Sequence, residues 1–292
     1  MNLKNTVLVN GTELNVYTEG SGSLTIVFMA GNGVTCPVLE YKPVYRRMSV
    51  KYRIAVIEKA GYGFSESAET PRTIENLVSE DREALRKAGI EPPYVLAAHS
   101  YSGFEAVYWA NTYPDEVKAV LSMDMGVPDM AVKQAEEVGE EKRCGMVKKQ
   151  AKLMKKIEKG GFITKLLKNR LENVSGLLSG SELTDDEKKI YRELFYKNIA
   201  HSEYADEGIH MTENARKAQS TGILKCPCCF FISDMKTLTK KISWRQAGTE
   251  YAEKCSGEVH LSDKGHFMYA VIPDEMSETF DRFLIKHNIS QK

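Results

Sequence analysis

Apolar residues in the first 125 positions fall into short runs, and stretches with helical spacing lie between those runs. Asn10-Gly11 separates two alternating segments and predicts a β-hairpin near the start of the chain. Four later runs are mainly apolar, as expected of strands buried on both faces: residues 24–29, 52–57, 94–98 and 119–123. Residues 73–88 and 102–112 have the spacing of amphipathic helices. This alternation predicts parallel strands joined by helical crossovers, with an antiparallel hairpin at one edge.

The pattern changes at Pro128, and from there to about residue 221 no segment has the pattern of a strand. Three stretches in this part have helical spacing: residues 146–157, 163–171 and 185–199. Strand-like runs return at 229–232 and 258–261, and a last helix is predicted over 273–286. We therefore predict an α/β fold with a mostly parallel central sheet flanked by helices. Its core comprises residues 1–126 and 225–292, and an all-helical insertion occupies residues 127–224.

The composition argues against some classes of partner. The chain has 292 residues, and its 40 basic and 40 acidic side chains leave a net charge of zero, which gives no support to a nucleic-acid partner. No segment resembles a signal peptide, and no apolar run approaches the roughly 20 residues of a membrane span, so we expect a cytoplasmic protein. Residues 142–170 are rich in lysine and arginine. A solvated helix face explains this stretch best, and contact with an anionic lipid surface is the alternative.

Six cysteines in a chain without a secretory pattern favour reduced thiols. Three of them lie in the stretch Cys226-Pro227-Cys228-Cys229, which could be interpreted as a metal site. A second ligand pair at zinc-finger spacing is missing, and the stretch continues into the apolar run at 230–232. We therefore predict structural cysteines and no bound metal.

The stretch AHSYSG at residues 98–103 places Ser100 at the junction of a predicted strand and a predicted helix. A serine hydroxyl becomes a nucleophile when a base, a group that orients the base, and donors for the developing oxyanion surround it. A tight strand-to-helix turn lifts the hydroxyl clear of the sheet, and it requires small neighbours because strand and helix approach closely there. Ala98, Ser102 and Gly103 meet that requirement. Ser100 is therefore the candidate nucleophile.

These residues resemble the nucleophile elbow of the α/β-hydrolase superfamily, whose usual pattern is G-x-S-x-G. The segment FMAGNG at residues 28–33 is similar to the family's segment after its third strand, with Ala30 in place of the usual histidine. The resemblance implies that the backbone N–H groups of Asn32 and Tyr101 form the oxyanion hole. The stretch EKAGYGFS at residues 58–65 is similar to a further loop of the family, for which a structural role is expected.

The resemblance also implies a histidine base late in the chain and an acid between the nucleophile and that histidine. Lys264-Gly265-His266-Phe267 fits the family's Gly-His pattern after the last strand, which makes His266 the candidate base. The favoured acid is Asp234, which follows the run at 230–232, and the alternative acid is Asp124, which follows the run at 119–123. The acid not used is expected to be a turn or cap residue.

A serine hydrolase acting on a small or medium carboxylic ester, or on a related acyl substrate, is the function that the resemblance implies. Such a reaction needs no cofactor, and the expected partner is a small-molecule acyl substrate. The insertion is expected to form a helical cap over the site. A proline-iminopeptidase-like enzyme or a carbon–carbon bond hydrolase on the same scaffold remains an alternative. The departures at Ala30, Ala98 and Ser102 also leave open a ligand-binding protein with little turnover.

Overall fold

The computed structural model describes residues 2–160, 171–237 and 243–289. These residues form one sheet, whose strands are β1 (Thr6–Val9), β2 (Thr12–Glu19), β3 (Thr25–Met29), β4 (Arg53–Glu58), β5 (Tyr94–Ser100), β6 (Val117–Met125), β7 (Cys228–Ile232) and β8 (Glu258–Leu261). The strand order is β1-β2-β4-β3-β5-β6-β7-β8. β2 runs antiparallel to both of its neighbours, and all other pairs are parallel. The mostly parallel sheet with an antiparallel edge is therefore confirmed.

The hairpin between β1 and β2 forms at the predicted position. Asn10 has a φ of 49° and Gly11 a φ of 85°, so both residues of the two-residue turn are in the left-handed region. Only glycine and, less readily, asparagine adopt this conformation at low cost. The register pairs Val9 with Thr12 across the turn.

Ten helices flank the sheet or lie in the insertion of the described chain. They are α1 (Pro37–Glu40), α2 (Lys42–Met48), α3 (Ile74–Lys87), α4 (Ser102–Thr112), α5 (Pro128–Val138), α6 (Glu140–Glu158), α7 (Asp185–Asn198), α8 (Ser202–Ser220), α9 (Trp244–Lys254) and α10 (Pro273–Lys286). Short 3₁₀ turns follow α4 at Pro114–Glu116 and precede α10 at Met268–Ala270.

The sheet is covered on both faces, as its apolar strands require. Alternate residues of β3 belong to different cores: Ile26 and Phe28 pack on the side of α2 and α10, while Val27 and Met29 pack on the side of α3 and α4. All five residues of β3 and all five of β7 are buried. The carboxyl ends of β3, β5 and β6 therefore meet at one edge of a layered structure, and that edge bears the predicted site.

The insertion between β6 and β7 contains α5, α6, α7 and α8, and the residues described there form helices and turns without a strand. The predicted helical stretch 163–171 lies outside the described residues apart from Leu171. α7 begins with a capping box, in which Thr184 and Glu187 satisfy each other's backbone N–H groups. The described part of the basic stretch belongs to α6. No helix in the parts of the chain described here combines the length and the apolarity that crossing a membrane would require.

Candidate active site

Ser100 is the last residue of β5, and α4 begins two residues later. Its φ is 53°, so a residue with a side chain occupies the left-handed region. Such a backbone is disfavoured for serine and is maintained only when the surrounding structure enforces it. The strand-to-helix turn predicted from the sequence is therefore present, with the strained backbone that such a turn imposes.

Small residues surround Ser100 for a steric reason. A Cβ atom on Gly31 would come within 2.6 Å of Ser100 Cβ, and one on Gly103 would come within 2.2 Å of the Gly126 carbonyl oxygen. Ser102 replaces the second glycine of the usual motif and is fully buried. Its hydroxyl accepts a hydrogen bond from the His99 N–H at 3.0 Å and lies 2.9 Å from the Met29 carbonyl oxygen. Ser102 therefore fits the elbow and also joins it to β3.

A histidine–carboxylate pair lies close to the elbow. His266 Nδ1 is 2.6 Å from Asp124 Oδ2, and the side chain of His266 is 15% exposed whereas that of Asp124 is fully buried. Asp124 also accepts hydrogen bonds from Trp244 Nε1 at 2.7 Å, from the Ser233 N–H at 2.8 Å and from the Ser233 hydroxyl at 2.7 Å. A buried carboxylate that accepts four hydrogen bonds is fixed in position.

The structure pairs His266 with Asp124, the alternative acid, rather than with Asp234, and the role of Asp124 as the acid stays a prediction. Asp234 is exposed, whereas its neighbour Ser233 at the end of β7 donates twice to Asp124. The carboxylate beside His266 comes instead from β6, where Asp124 has a φ of 64°. In the sequence both aspartates lie just after an apolar run, so the local pattern does not distinguish them.

Ser233 and Trp244 were not identified from the sequence as part of the site. A buried indole N–H requires an acceptor, and Trp244 finds it in Asp124. The Trp244 ring also meets the His266 ring edge-on, with centroids 5.3 Å apart. The two residues therefore support both members of the histidine–carboxylate pair.

The structure brings Ser100 and His266 into one neighbourhood through His99, the residue before Ser100. The rings of His99 and His266 lie with centroids 4.6 Å apart, and His99 Nε2 is 3.2 Å from the His266 carbonyl oxygen. No hydrogen bond among the described residues joins Ser100 Oγ to the His266 imidazole. Catalytic hydrogen bonds are often long before substrate binds, and the pairing of nucleophile and base stays a prediction.

The two predicted oxyanion donors lie on either side of the elbow. Tyr101 follows Ser100 directly, and Asn32 follows Gly31, whose backbone abuts Ser100. Neither backbone N–H donates to a backbone acceptor within the described ranges. The Asn32 side chain is engaged elsewhere, since its Nδ2 donates to the Tyr204 carbonyl oxygen at 2.9 Å. The two amides are thus available, and their function as an oxyanion hole stays a prediction.

A buried group of charged residues lies behind Asn32. Lys59 Nζ is 3.0 Å from Glu105 Oε1 on α4 and 3.1 Å from Glu207 Oε2 on α8. Glu207 also accepts from the Tyr62 hydroxyl at 2.9 Å and from Asn32 Nδ2 at 3.4 Å. Burial lowers the pKa of Lys59, but the carboxylates of Glu105 and Glu207 outweigh it and raise that pKa overall. This group links the insertion to the segment that carries the Asn32 amide.

Cys229, Glu258 and His260 offer ligand atoms within 4.8 Å of one another on β7 and β8, away from Ser100. Glu258 is already paired with Lys286 at 2.9 Å and with His260 at 3.0 Å. Burial raises the pKa of the Cys229 thiol, so the thiolate that a metal requires is disfavoured. We assign this cluster no metal. All six cysteines of the chain are free thiols.

Several curated proteins share part of the sequence. The uncharacterized protein YbdG of Bacillus subtilis is 37% identical over 216 residues, which is 74% of this chain and 64% of YbdG. The chain thus spans just under two thirds of that relative's length. The 2-(acetamidomethylene)succinate hydrolase of Mesorhizobium japonicum is 29% identical over 111 residues, 38% of each protein. No family model matches the chain.

Solved structures share the fold. The enol-lactonase of Burkholderia xenovorans superposes with a TM-score of 0.65 at 19% identity, covering 96% of this chain and 100% of the lactonase. At that identity the match concerns the fold alone.

Proposed function

Because the chain has the α/β-hydrolase fold, we propose that it is a hydrolase that cleaves a small or medium carboxylic ester, or a related acyl substrate, through an acyl-enzyme on Ser100. One observation carries the proposal. A serine strained into the left-handed region at the end of β5 lies in the same neighbourhood as a histidine whose Nδ1 is 2.6 Å from a buried carboxylate. The name of the Mesorhizobium relative describes a hydrolase, which agrees with this assignment.

His266 is the proposed base. A neutral imidazole has one donor nitrogen and one acceptor nitrogen, and Asp124 can only accept, so Nδ1 carries the proton and Nε2 is free to take another. Nε2 removes the Ser100 hydroxyl proton as Oγ bonds to the substrate carbonyl carbon. It then returns that proton to the leaving oxygen, and the acyl group stays on Ser100. Asp124 stabilises the imidazolium that exists between these steps.

Hydrolysis of the acyl-enzyme repeats the sequence with water. His266 takes a proton from the water as its oxygen attacks the acyl carbon, and Ser100 Oγ leaves with that proton. In both halves the carbonyl oxygen becomes negatively charged. The N–H groups of Asn32 and Tyr101 are the proposed donors to it, and the N-terminus of α4 adds a favourable dipole.

The insertion is the proposed cap, and it occupies residues 127–224 of the chain. α8 supports this role because its Glu207 contacts Asn32 and Lys59 beside the elbow. A cap in this position limits the size and shape of the acyl substrate. The serine at position 100 also distinguishes the protein from epoxide hydrolases and dehalogenases of this fold, which use an aspartate nucleophile.

Labelling with a fluorophosphonate tests the proposal. Wild type should become labelled at Ser100, and Ser100→Ala should lose both the label and about 10⁴-fold or more of kcat. Ser102→Ala is the matched control, because Ser102 is a buried serine of the same turn whose hydroxyl already bonds to the backbone. Label on the Ser100→Ala variant would contradict the proposal.

A chromogenic panel then tests the substrate class. Short-chain esters should be hydrolysed faster than aminoacyl amides or vinylogous carbon–carbon substrates. Preference for the amides would indicate an aminopeptidase on this scaffold. Tight binding of an ester without turnover, unchanged in Ser100→Ala, would indicate a binding protein instead.

A further inference from the structure

The His99 ring has a hydrogen-bond partner at each of its two nitrogens. Nδ1 is 3.4 Å from the Tyr41 hydroxyl, and Nε2 is 3.2 Å from the His266 carbonyl oxygen. The Tyr41 hydroxyl accepts from the Gly31 N–H at 3.3 Å. A continuous chain of hydrogen bonds therefore joins Gly31 to the backbone of His266. The residues next to His99 in the sequence do not reveal these partners.

The donor and the acceptor of every hydrogen bond in this series follow from the groups at its two ends. The His266 carbonyl oxygen can only accept, so His99 Nε2 must donate. In a neutral ring Nδ1 is then the acceptor, and the Tyr41 hydroxyl donates to it. The Tyr41 oxygen is left to accept from the Gly31 N–H, which can only donate. One tautomer of His99 satisfies all partners, whereas the other would set the unprotonated Nε2 against the His266 carbonyl oxygen, two acceptors with no proton between them.

Packing keeps His99 neutral and immobile. His99 is 1% exposed, and Tyr41 is fully buried. The Tyr269 ring meets the His99 ring at 90° with centroids 5.0 Å apart, and the Phe267 ring lies 6.0 Å away. Burial and the neighbouring His266 lower the pKa of His99. A neutral histidine with one donor and one acceptor is what the hydrogen-bond chain requires.

We propose that Tyr41 and His99 are positioning residues that hold the Asn32 amide and the His266 imidazole in place around Ser100. Gly31 precedes Asn32, His99 precedes Ser100, and the His266 backbone carries the base. The hydrogen-bond chain therefore touches the segments of the nucleophile, the base and one oxyanion donor. This inference rests on the proposed function. Tyr41 and His99 themselves touch no reacting atom.

Single and double variants test whether the two residues act as a unit. Tyr41→Phe leaves the Gly31 N–H and His99 Nδ1 without partners, and His99→Phe leaves the Tyr41 hydroxyl and the His266 carbonyl oxygen without partners. Each change should lower kcat about tenfold to a hundredfold with KM little changed, because small displacements of catalytic groups act mainly on the transition state. The double variant should be no slower than the slower single variant, since both changes interrupt one chain.

Two further variants separate positioning from folding. His99→Gln keeps an amide N–H donor and a carbonyl acceptor, and it should recover most of the kcat that His99→Phe loses. Tyr45→Phe removes a buried hydroxyl from α2, one turn after Tyr41, without touching His99, and it should retain wild-type kcat. Multiplicative losses in the double variant, or equal kcat for the glutamine and phenylalanine variants, would overturn the inference.

Histidine NMR gives a readout that needs no turnover. His99 should be the neutral Nε2–H tautomer, and Tyr41→Phe should shift its Nδ1 resonance while Tyr45→Phe leaves it unchanged. A proton on Nδ1, or no response to Tyr41→Phe, would overturn the inference. A wild type that neither hydrolyses esters nor reacts with fluorophosphonate would overturn the proposed function instead. The NMR result would then be the test of the hydrogen-bond chain.

Discussion

The orientation of His266 depends on Asp124. Its carboxylate accepts from His266 Nδ1, while Ser233 and Trp244 occupy its other lone pairs. We expect Asp124→Asn to lower kcat for an ester by about a thousandfold to ten-thousandfold. The new amide can present a donor to Nδ1, and the imidazole would then adopt the tautomer that cannot accept the serine proton. Steady-state kinetics on the best ester of the panel provides the measurement.

Asp234→Asn is the matched control for this prediction. Asp234 lies two residues after the end of β7 at the same edge of the sheet, and it is exposed. Its substitution should leave kcat at the wild-type value and the melting temperature unchanged. A large loss in Asp234→Asn, with activity retained in Asp124→Asn, would restore the acid favoured from the sequence.

Local sequence is informative for the serine and the histidine but not for the acid. Ser100 and His266 are each flagged by their own neighbours, small residues in one case and a preceding glycine in the other. The identity of the acid depends on which of the two aspartates is held beside His266. Trp244, which follows Asp124 by 120 residues in the sequence, donates to the Asp124 carboxylate and helps to hold it there. Contacts over such a separation leave no trace in periodicity or turn pattern.

At the scale of elements, α8 is fastened to the core by buried polar groups. Glu207 holds Lys59, Tyr62 and Asn32, and Asn214 Oδ1 accepts from the Ile74 N–H at 2.8 Å. We expect Glu207→Ala to lower the free energy of unfolding by about 3–5 kcal/mol, because it leaves the buried ammonium of Lys59 with one carboxylate fewer. Urea unfolding gives this value directly.

Glu213→Ala is the comparison for this change. Glu213 is an exposed residue of the same helix, so its substitution should alter the free energy of unfolding by no more than about 0.5 kcal/mol. If both variants unfold at the same urea concentration, the buried carboxylate does not contribute as argued.

The strands and several helices were predictable, but α8 was not among the predicted helices and its partners were not predicted either. The helix predicted over 273–286 is α10 with those bounds, and β5 extends the predicted strand by two residues to Ser100. On α8, however, Glu203 and Glu207 lie on the buried face with Met211. A pattern of apolar and polar positions assigns acidic residues to the solvent-exposed face. Only the tertiary structure shows that Glu207 is buried and forms an ion pair with Lys59.

At the scale of the whole molecule, alternation of strands and helices predicts a parallel sheet but not its order. β3 lies between β4 and β5, so the connection from β4 to β5 passes over β3, and the later strands then follow in sequence order. That order places the carboxyl ends of β3 and β5 side by side. Gly31 and Ser100 follow from it as neighbours, although 69 positions separate them in the sequence.

The fold also buries a carboxyl group whose protonation links stability to pH. Glu58 ends β4 and is fully buried, and it accepts from the Phe64 N–H at 2.7 Å and from Asn15 Nδ2 at 3.0 Å. Burial raises the pKa of Glu58 to about 7 against the opposing effect of these hydrogen bonds, from an ordinary value of 4.5. Between the two values the folded protein keeps a proton that the unfolded chain has lost.

The free energy of unfolding should therefore fall as the pH rises from about 4.5 to about 7, and Glu58 should account for about 3 kcal/mol of this fall. At higher pH, Glu58 should no longer make the free energy of unfolding depend on pH. Glu58→Gln carries no titrating proton and should flatten this part of the profile. Glu69→Gln, an exposed change just beyond the same loop, should leave the profile as in wild type. Urea unfolding across this pH range measures all three proteins. Parallel profiles for wild type and Glu58→Gln would mean that Glu58 is ionised in the folded protein throughout, held by its donors despite its burial.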